Sequence, residues 1–255
     1  MRVRADRLAA VALAAVLALT GCTSGGKEAS PEQTPSPAGP VATDPASVFR
    51  AAVAKTNQVP LSFTIDSDLG TIGTMTGDGA SDPKQKATAY KAQLLTTDRK
   101  IDIAAVLVTP DLYLQVTGLT TDRWAHLITT KVKSLAKLGL DPTGSPTGLG
   151  SLADEIVTVQ QTAPGSFSGT LDKSKNPLLA SASPTDALKA VPFEATVNSD
   201  GYVTQLVTHT PAVGAAPAST STVKFANFAS KTIKVERPDS STVEQAPDAF
   251  YQALQ

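Results

Sequence analysis

The 255-residue sequence carries 22 basic and 23 acidic side chains and is 41% hydrophobic and 18% charged, which excludes both a disordered polyelectrolyte and a basic nucleic-acid binder. One cysteine and two histidines cannot form an internal disulfide or a Cys/His metal cluster, so neither metal chemistry nor a cofactor is expected. With 17 glycines, 18 prolines and only 5% aromatic residues, the composition suits a turn-rich β protein better than a helical bundle.

Arg2, Arg4 and Arg7 precede an apolar run over residues 8–19, long enough for an export signal and short for a spanning helix. It ends in Leu19-Thr20-Gly21-Cys22, which resembles the lipobox of bacterial lipoproteins: a small residue before a thiol that receives diacylglycerol, with the preceding segment removed. Residues 1–21 are therefore expected to be a signal peptide and Cys22 the lipidation site. Two acyl chains at about 0.8 kcal/mol per buried methylene would hold the chain on the extracytoplasmic face of the cell membrane. Residues 22–44 are rich in Pro, Ser, Thr and Gly and read as a tether reaching up to about 70 Å.

Asp44-Pro45 is an N-cap and first-turn pair, and Val48, Phe49, Ala52 and Val53 form the apolar stripe of a short helix ending near Thr56. Leu61, Phe63 and Ile65 then alternate with polar residues, the pattern of a half-buried strand. Further strands are expected at 69–79, 88–96, 101–108 and 112–117, separated by Gly, Asp-Pro, Asp-Arg and Pro-Asp turns, as an antiparallel meander. Ile103, Ala105 and Leu107 alternate with Ala104, Val106 and Val108, so the fourth of these strands should be covered on both faces. The expected cover is the stretch after Trp124, with helices over 129–140 and around Leu149, Leu152 and Ile156, joined by a Gly/Pro-rich loop at 141–150 that could act as a gate. Strands resume at 157–162 and 166–172, and a short helix is expected near Ser183. A hairpin around Asp200-Gly201 follows, then strands at 222–227 and 232–235 and a weak tail helix at 249–254.

The sum is an α+β domain over 45–238, a large curved antiparallel half-barrel sheet with helices on its concave face, followed by a tail at 239–255. The lipobox, the tether, the first helix, the five-strand meander, Tyr113 and Trp124, the Asp200-Gly201-Tyr202 hairpin and the closing Val223-Lys224-Phe225-Ala226-Asn227-Phe228 together resemble the LppX/LprA/LprF/LprG family of actinobacterial lipoproteins, whose fold is similar to that of the LolA/LolB carriers. The resemblance is one of order and pattern.

Catalytic chemistry finds little support. In Gly165-Ser166-Phe167-Ser168-Gly169 the central residue is Phe167, so no serine occupies a nucleophile elbow. His126 and His209 lie in strand-like segments, and Asp66/Asp68 and Asp154/Glu155 lack the spacing of a glycosidase pair or a calcium loop. No phosphate-binding glycine motif occurs. From the residues alone, a solid core and a hollow one both remain open, Phe63 and Tyr113 being the large rings at core-facing positions. The family resemblance implies the cavity, and with it a non-enzymatic carrier of acylated lipids or glycolipids that works with an export transporter of the envelope. The expected lining is Phe63, Ile65, Ile72, Leu94, Ile103, Ala105, Leu107, Leu114 and Val116, with Leu135 and Leu138 from the cover; Trp at Leu107 or Leu114 should then block uptake. Lys131, Lys133 and Lys137 would face headgroups or solvent. The competing reading is a lipid-anchored interaction module with a filled core that binds an envelope protein or wall polymer.

Overall fold

The Asp44-Pro45 pair starts a helix for the reason its chemistry suggests. In the computed structural model, which describes residues 44–120, 122–132, 135, 140, 146–175 and 186–253, α1 spans Pro45–Thr56, and the Asp44 carboxylate accepts from the backbone N–H groups of Ala46 and Ser47 at 3.3 and 3.0 Å. Those bonds satisfy donors that a helix start leaves open. Its stripe of Phe49, Ala52, Val53 and Thr56 is buried.

The strands that follow are β1 (Leu61–Asp68), β2 (Thr74–Asp82), β3 (Ala87–Leu95), β4 (Lys100–Val108), β5 (Asp111–Val116) and β6 (Trp124–Ile128). After α2 (Leu149–Glu155) come β7 (Ile156–Ala163), β8 (Ser166–Leu171), β9 (Val191–Val197), β10 (Val203–Thr210), β11 (Ser219–Ala226), β12 (Val243–Gln245) and α3 (Asp248–Ala253). They form one open sheet of 12 strands in the order β12-β6-β5-β4-β3-β2-β1-β11-β10-β9-β8-β7. Every pairing is antiparallel except β12 on β6. The meander from β1 to β6 and the run from β7 to β11 are two local hairpin series. They join where β1 meets β11, Phe63 opposite Phe225. The helices pack on one face, so the expected architecture of a large antiparallel sheet with one-sided helices is the one observed. Among the described residues no helix is long and apolar enough to cross a membrane.

Several expected elements differ. The second strand begins at Thr74 rather than near Leu69, because Gly70 and Gly73 take positive φ values of 60° and 136° that interrupt an extended chain, and Gly70–Ile72 is a single 3-10 turn. Thr129–Lys131 is likewise one 3-10 turn, after which Val132 returns to extended backbone; three β-branched residues at Thr129, Thr130 and Val132 disfavour an α start there. Lys133, Lys137, Leu138 and residues 141–145 of the expected gate lie outside the described residues, as do Cys22 and Ser183. Leu149 and Gly150, assigned to that gate, begin α2. Ile156 opens β7 rather than closing the helix.

Residues 232–235 pair with no strand, since β11 is flanked by β1 and β10 and the edge at β6 is taken by β12. They run instead over the outer face, where Val235 is buried against Ala87, Val106 and Tyr113. Arg237 pins this strap by donating to Asp111 Oδ2 at 2.9 Å, while His126 Nε2 lies 2.9 Å from Asp111 Oδ1. The hydrogen bond with His126, joined by that from Arg237, holds the Asp111 carboxyl below the usual carboxylate range. A depressed folded-state value stabilises the protein above the unfolded value of about 4 and loses that effect as pH falls through the folded one. Asp111→Asn is therefore expected to lower the urea midpoint at pH 7, and the gap from the wild type should close as pH drops below about 4. A gap that persists in acid would show that the carboxylate charge is not what holds the strap.

Candidate functional site

Side chains alternate across a strand, so the register decides which residues share a face. One cross-strand row reads Phe63, Gly79, Tyr90, Ala105, Leu114 and Ala125, and the next reads Ile65, Gly77, Ala92, Ile103 and Val116. A third row is Met75, Leu94 and Ile101, and a fourth runs from Leu61 through Ser81, Thr88, Leu107 and Leu112 to Leu127. Phe63, Ile65, Leu94, Ile103, Ala105, Leu107, Leu114 and Val116 thus project from the same face, the one that carries the helices. Ile72 does not join them: it is 47% exposed in the 3-10 turn between β1 and β2, at the rim. Leu135 packs over the Leu107 and Leu114 side.

This inner face is covered at two places. Under α1 and α2, Phe49, Val53 and Leu152 meet Phe63, Phe167, Phe193 and Phe225, with the Phe49 ring 5.3 Å from Phe167 and 5.4 Å from Phe193. This half of the interior is filled by large rings, contrary to an expectation that named only Phe63 and Tyr113. Tyr113 in fact projects to the outer face, stacked on His126 at 5.0 Å. The second cover lies over Leu107, Leu112, Leu114 and Leu127, where Ala246, Phe250 and Tyr251 of the C-terminal segment join Val132 and Leu135.

Between the covers the face is apolar and half-buried: Met75, Ala92, Leu94, Ile101, Ile103 and Val116 are neither sealed nor fully exposed. Its floor is low. A Cβ on Gly79 would lie 2.5 Å from the Phe63 ring, so the glycine is what lets that ring lie down, while a Cβ on Gly77 would meet Ala92 at 3.1 Å. Gly77 and Ala92 are the small members of the row between Ile65 and Ile103. Tyr90 packs against both clusters, and burial pushes its phenol up to about 12, so it stays neutral throughout the physiological range. At the far end, a cavity of about 480 Å³ lies among Thr56, Leu61, Ser81, Thr88, Thr147 and Leu149, within the roughly 300–1,000 Å³ of small-ligand pockets. The Ser81 and Thr88 hydroxyls, 3.1 Å apart, satisfy each other there.

The outer face is also hollowed, as a twisted sheet is along one diagonal. Its depression of about 1450 Å³ is lined by Thr64, Asp66, Asp78, Lys91, Gln93, Asp102, Gln115 and Lys224 together with Ile65, Ala92, Ile103 and Val116, a mixed polar and apolar surface. The two histidines stand on this face, on β6 and β10, seven positions apart in the strand order, about 34 Å measured along the sheet at about 4.8 Å per strand. His126 contacts Asp111 and Tyr113, and His209 lies 3.3 Å from the Thr220 hydroxyl and 3.9 Å from Glu194. Lys131 sits 6.0 Å over the Tyr251 ring, held at the second cover.

Met75, Ala92 and Ile101 were missed in the sequence although each shares a row with a nominated residue; pairing the hairpins in register would have found them. Ala246, Phe250 and Tyr251 carry no such signal, because the tail reaches the core only through the parallel β12–β6 pairing.

No family model matches the chain, and no curated protein matches its sequence. Among solved structures, a LolA superfamily protein, NE2245 from Nitrosomonas europaea, is similar over 82% of this chain and 98% of its own at 9% identity, with a TM-score of 0.28. A likeness at this level assigns neither family nor function.

Proposed function

We propose that this protein is a non-enzymatic lipoprotein of the cell envelope, anchored through Cys22, that binds acylated lipids or glycolipids with their chains along the inner face between the two covers. The observation that carries the reading is the half-buried strip of Met75, Ala92, Leu94, Ile101, Ile103 and Val116, aliphatic area that a finished core would seal. One sixteen-carbon chain leaving water gains about 12 kcal/mol at roughly 0.8 per methylene. A bilayer offers the same, so a carrier works only by matching that cover, and the strip supplies aliphatic area for it. The LppX/LprG resemblance, the lipobox and the tether point the same way. Handover to an envelope export transporter belongs to this reading.

Native mass spectrometry of the full chain, purified from a host that makes diacyl lipids, is expected to show a ligand-bound species that organic extraction converts to free lipid. Chain that carries none, and takes up none from added glycolipid, overturns the proposal and leaves the anchored interaction module, for which the ring-filled half under α1 is the supporting observation.

A further inference from the structure

Four large apolar side chains are exposed among the described residues: Ile72 at 47%, Leu95 at 52%, Leu119 at 70% and Val157 at 54%. The register places all of them at one end of the sheet. Ile72 lies in the β1–β2 connection, Leu95 ends β3, Leu119 lies in the β5–β6 connection, and Val157 follows Ile156, which opposes Leu171 and then Val191 at that same end. The opposite end, with the β2–β3 and β9–β10 connections, exposes no large apolar side chain among the described residues and presents Lys84, Lys86 and Asp200. Scattered exposed apolar residues need no explanation, but their collection at one end does.

We infer that this end docks on the surface of a lipid bilayer, with Ile72, Leu95 and Leu119 entering its interfacial layer. Four observations meet here. The tips stand on adjacent hairpins, about 10 Å apart from one to the next at about 4.8 Å per strand. Beside them, the β10–β11 connection over 211–218 has no charged residue, exposes Ala212, Ala215 and Ala218, and touches the β1–β2 turn through Pro217 and Ala218 at Gly70. The half-buried row of Met75, Leu94 and Ile101 runs out at this end, so hydrocarbon would pass from bilayer to protein without crossing water. Finally, α1 begins at Asp44 on the docking side, with Phe49 over Phe167 and Phe193, and ends at the other, where Thr56 accepts from the Val203 N–H; 21 residues separate Asp44 from Cys22 in the sequence.

The connections over 69–73, 96–99 and 117–123 hold only Asp98, Arg99, Asp122 and Arg123, a neutral set. Docking through these three tips is therefore mainly apolar and only weakly dependent on salt and anionic lipid, Lys100 beside them being paired with Asp102 at 3.4 Å. The inference rests on the carrier reading for its purpose but is tested apart from it. Ile72→Cys and Leu119→Cys, with Asp200→Cys as the opposite-end control, are labelled in the full chain with a polarity-sensitive fluorophore and reconstituted into phosphatidylcholine vesicles, with and without phosphatidylglycerol. The wild type, whose single cysteine is Cys22, supplies the background. A nitroxide carried at the shallow depth of about 5–10 Å should quench the labels at 72 and 119 and spare the one at 200, equally in both vesicles, while aqueous iodide does the reverse. Adding Leu119→Asp to the label at 72 should weaken its lipid quenching, with circular dichroism unchanged. Labels at 72 and 119 that behave like the one at 200 overturn the docking end, whether or not mass spectrometry finds bound lipid; a protein partner would then be the better occupant.

Discussion

Ala92→Trp should empty the protein of acyl lipid and leave its sheet folded. Ala92 faces Gly77 across β2 and Ile103 across β4, where small side chains and incomplete burial coincide. An indole there lies on the aliphatic neighbours Ile103 and Leu94, which are already half-buried, so it displaces ligand rather than core. Occupancy by native mass spectrometry is expected to fall at least about tenfold, the equivalent of roughly 1.4 kcal/mol of lost binding, with far-ultraviolet circular dichroism unchanged. Leu107 and Leu114 are poor places for the same substitution. Both are 3% exposed beneath the second cover, and a larger ring forced into a packed core costs about 1–3 kcal/mol. Bound lipid that survives Ala92→Trp would place the ligand elsewhere on the molecule.

Phe193→Ala should be the most damaging simple truncation. The side chain is 1% exposed, sits 5.4 Å from Phe49 in a stacked arrangement, and also fills the space above Gly169, where a Cβ would come within 2.9 Å of its ring. Removing it leaves a cavity bounded by α1 and two strands that cannot collapse together, and such Phe→Ala changes cost about 3–5 kcal/mol. For a domain of this size that corresponds to a fall in melting temperature on the order of 10 °C. A fall of only a degree or two would mean that α1 is not held by the ring cluster.

The two substitutions probe opposite halves of one interior, and the division matters for function. Under α1 and α2 the rings of Phe49, Phe63, Phe167, Phe193 and Phe225 close the space, which anchors β1 and β11 and the hairpins beyond them. Among the described residues, no comparable ring cluster lies over Ala92, Leu94, Ile101, Ile103 and Val116. In the proposed carrier, the cover over β4–β6 is the part that would move with the least loss of sheet hydrogen bonds, being held by side chains and the three-residue parallel pairing of β12 on β6.

What local chemistry controls was legible in the residues. The N-cap and proline of α1, the alternation of Leu61, Phe63 and Ile65, and the Asp200-Gly201 turn each act over a few bonds, so helix start, strand and hairpin follow from them. The shared face of the nominated aliphatic residues was legible too, since a period of two survives any global arrangement. The strap at Val235, the parallel strand Val243–Gln245 and the outward turn of Tyr113 could not be read, because each depends on which distant backbone edge or surface is left free. Whether the interior is full or open was likewise decided in three dimensions. Gly79, Phe167 and Phe193 are ordinary strand residues until the register sets the first beneath the Phe63 ring and the other two beneath α1.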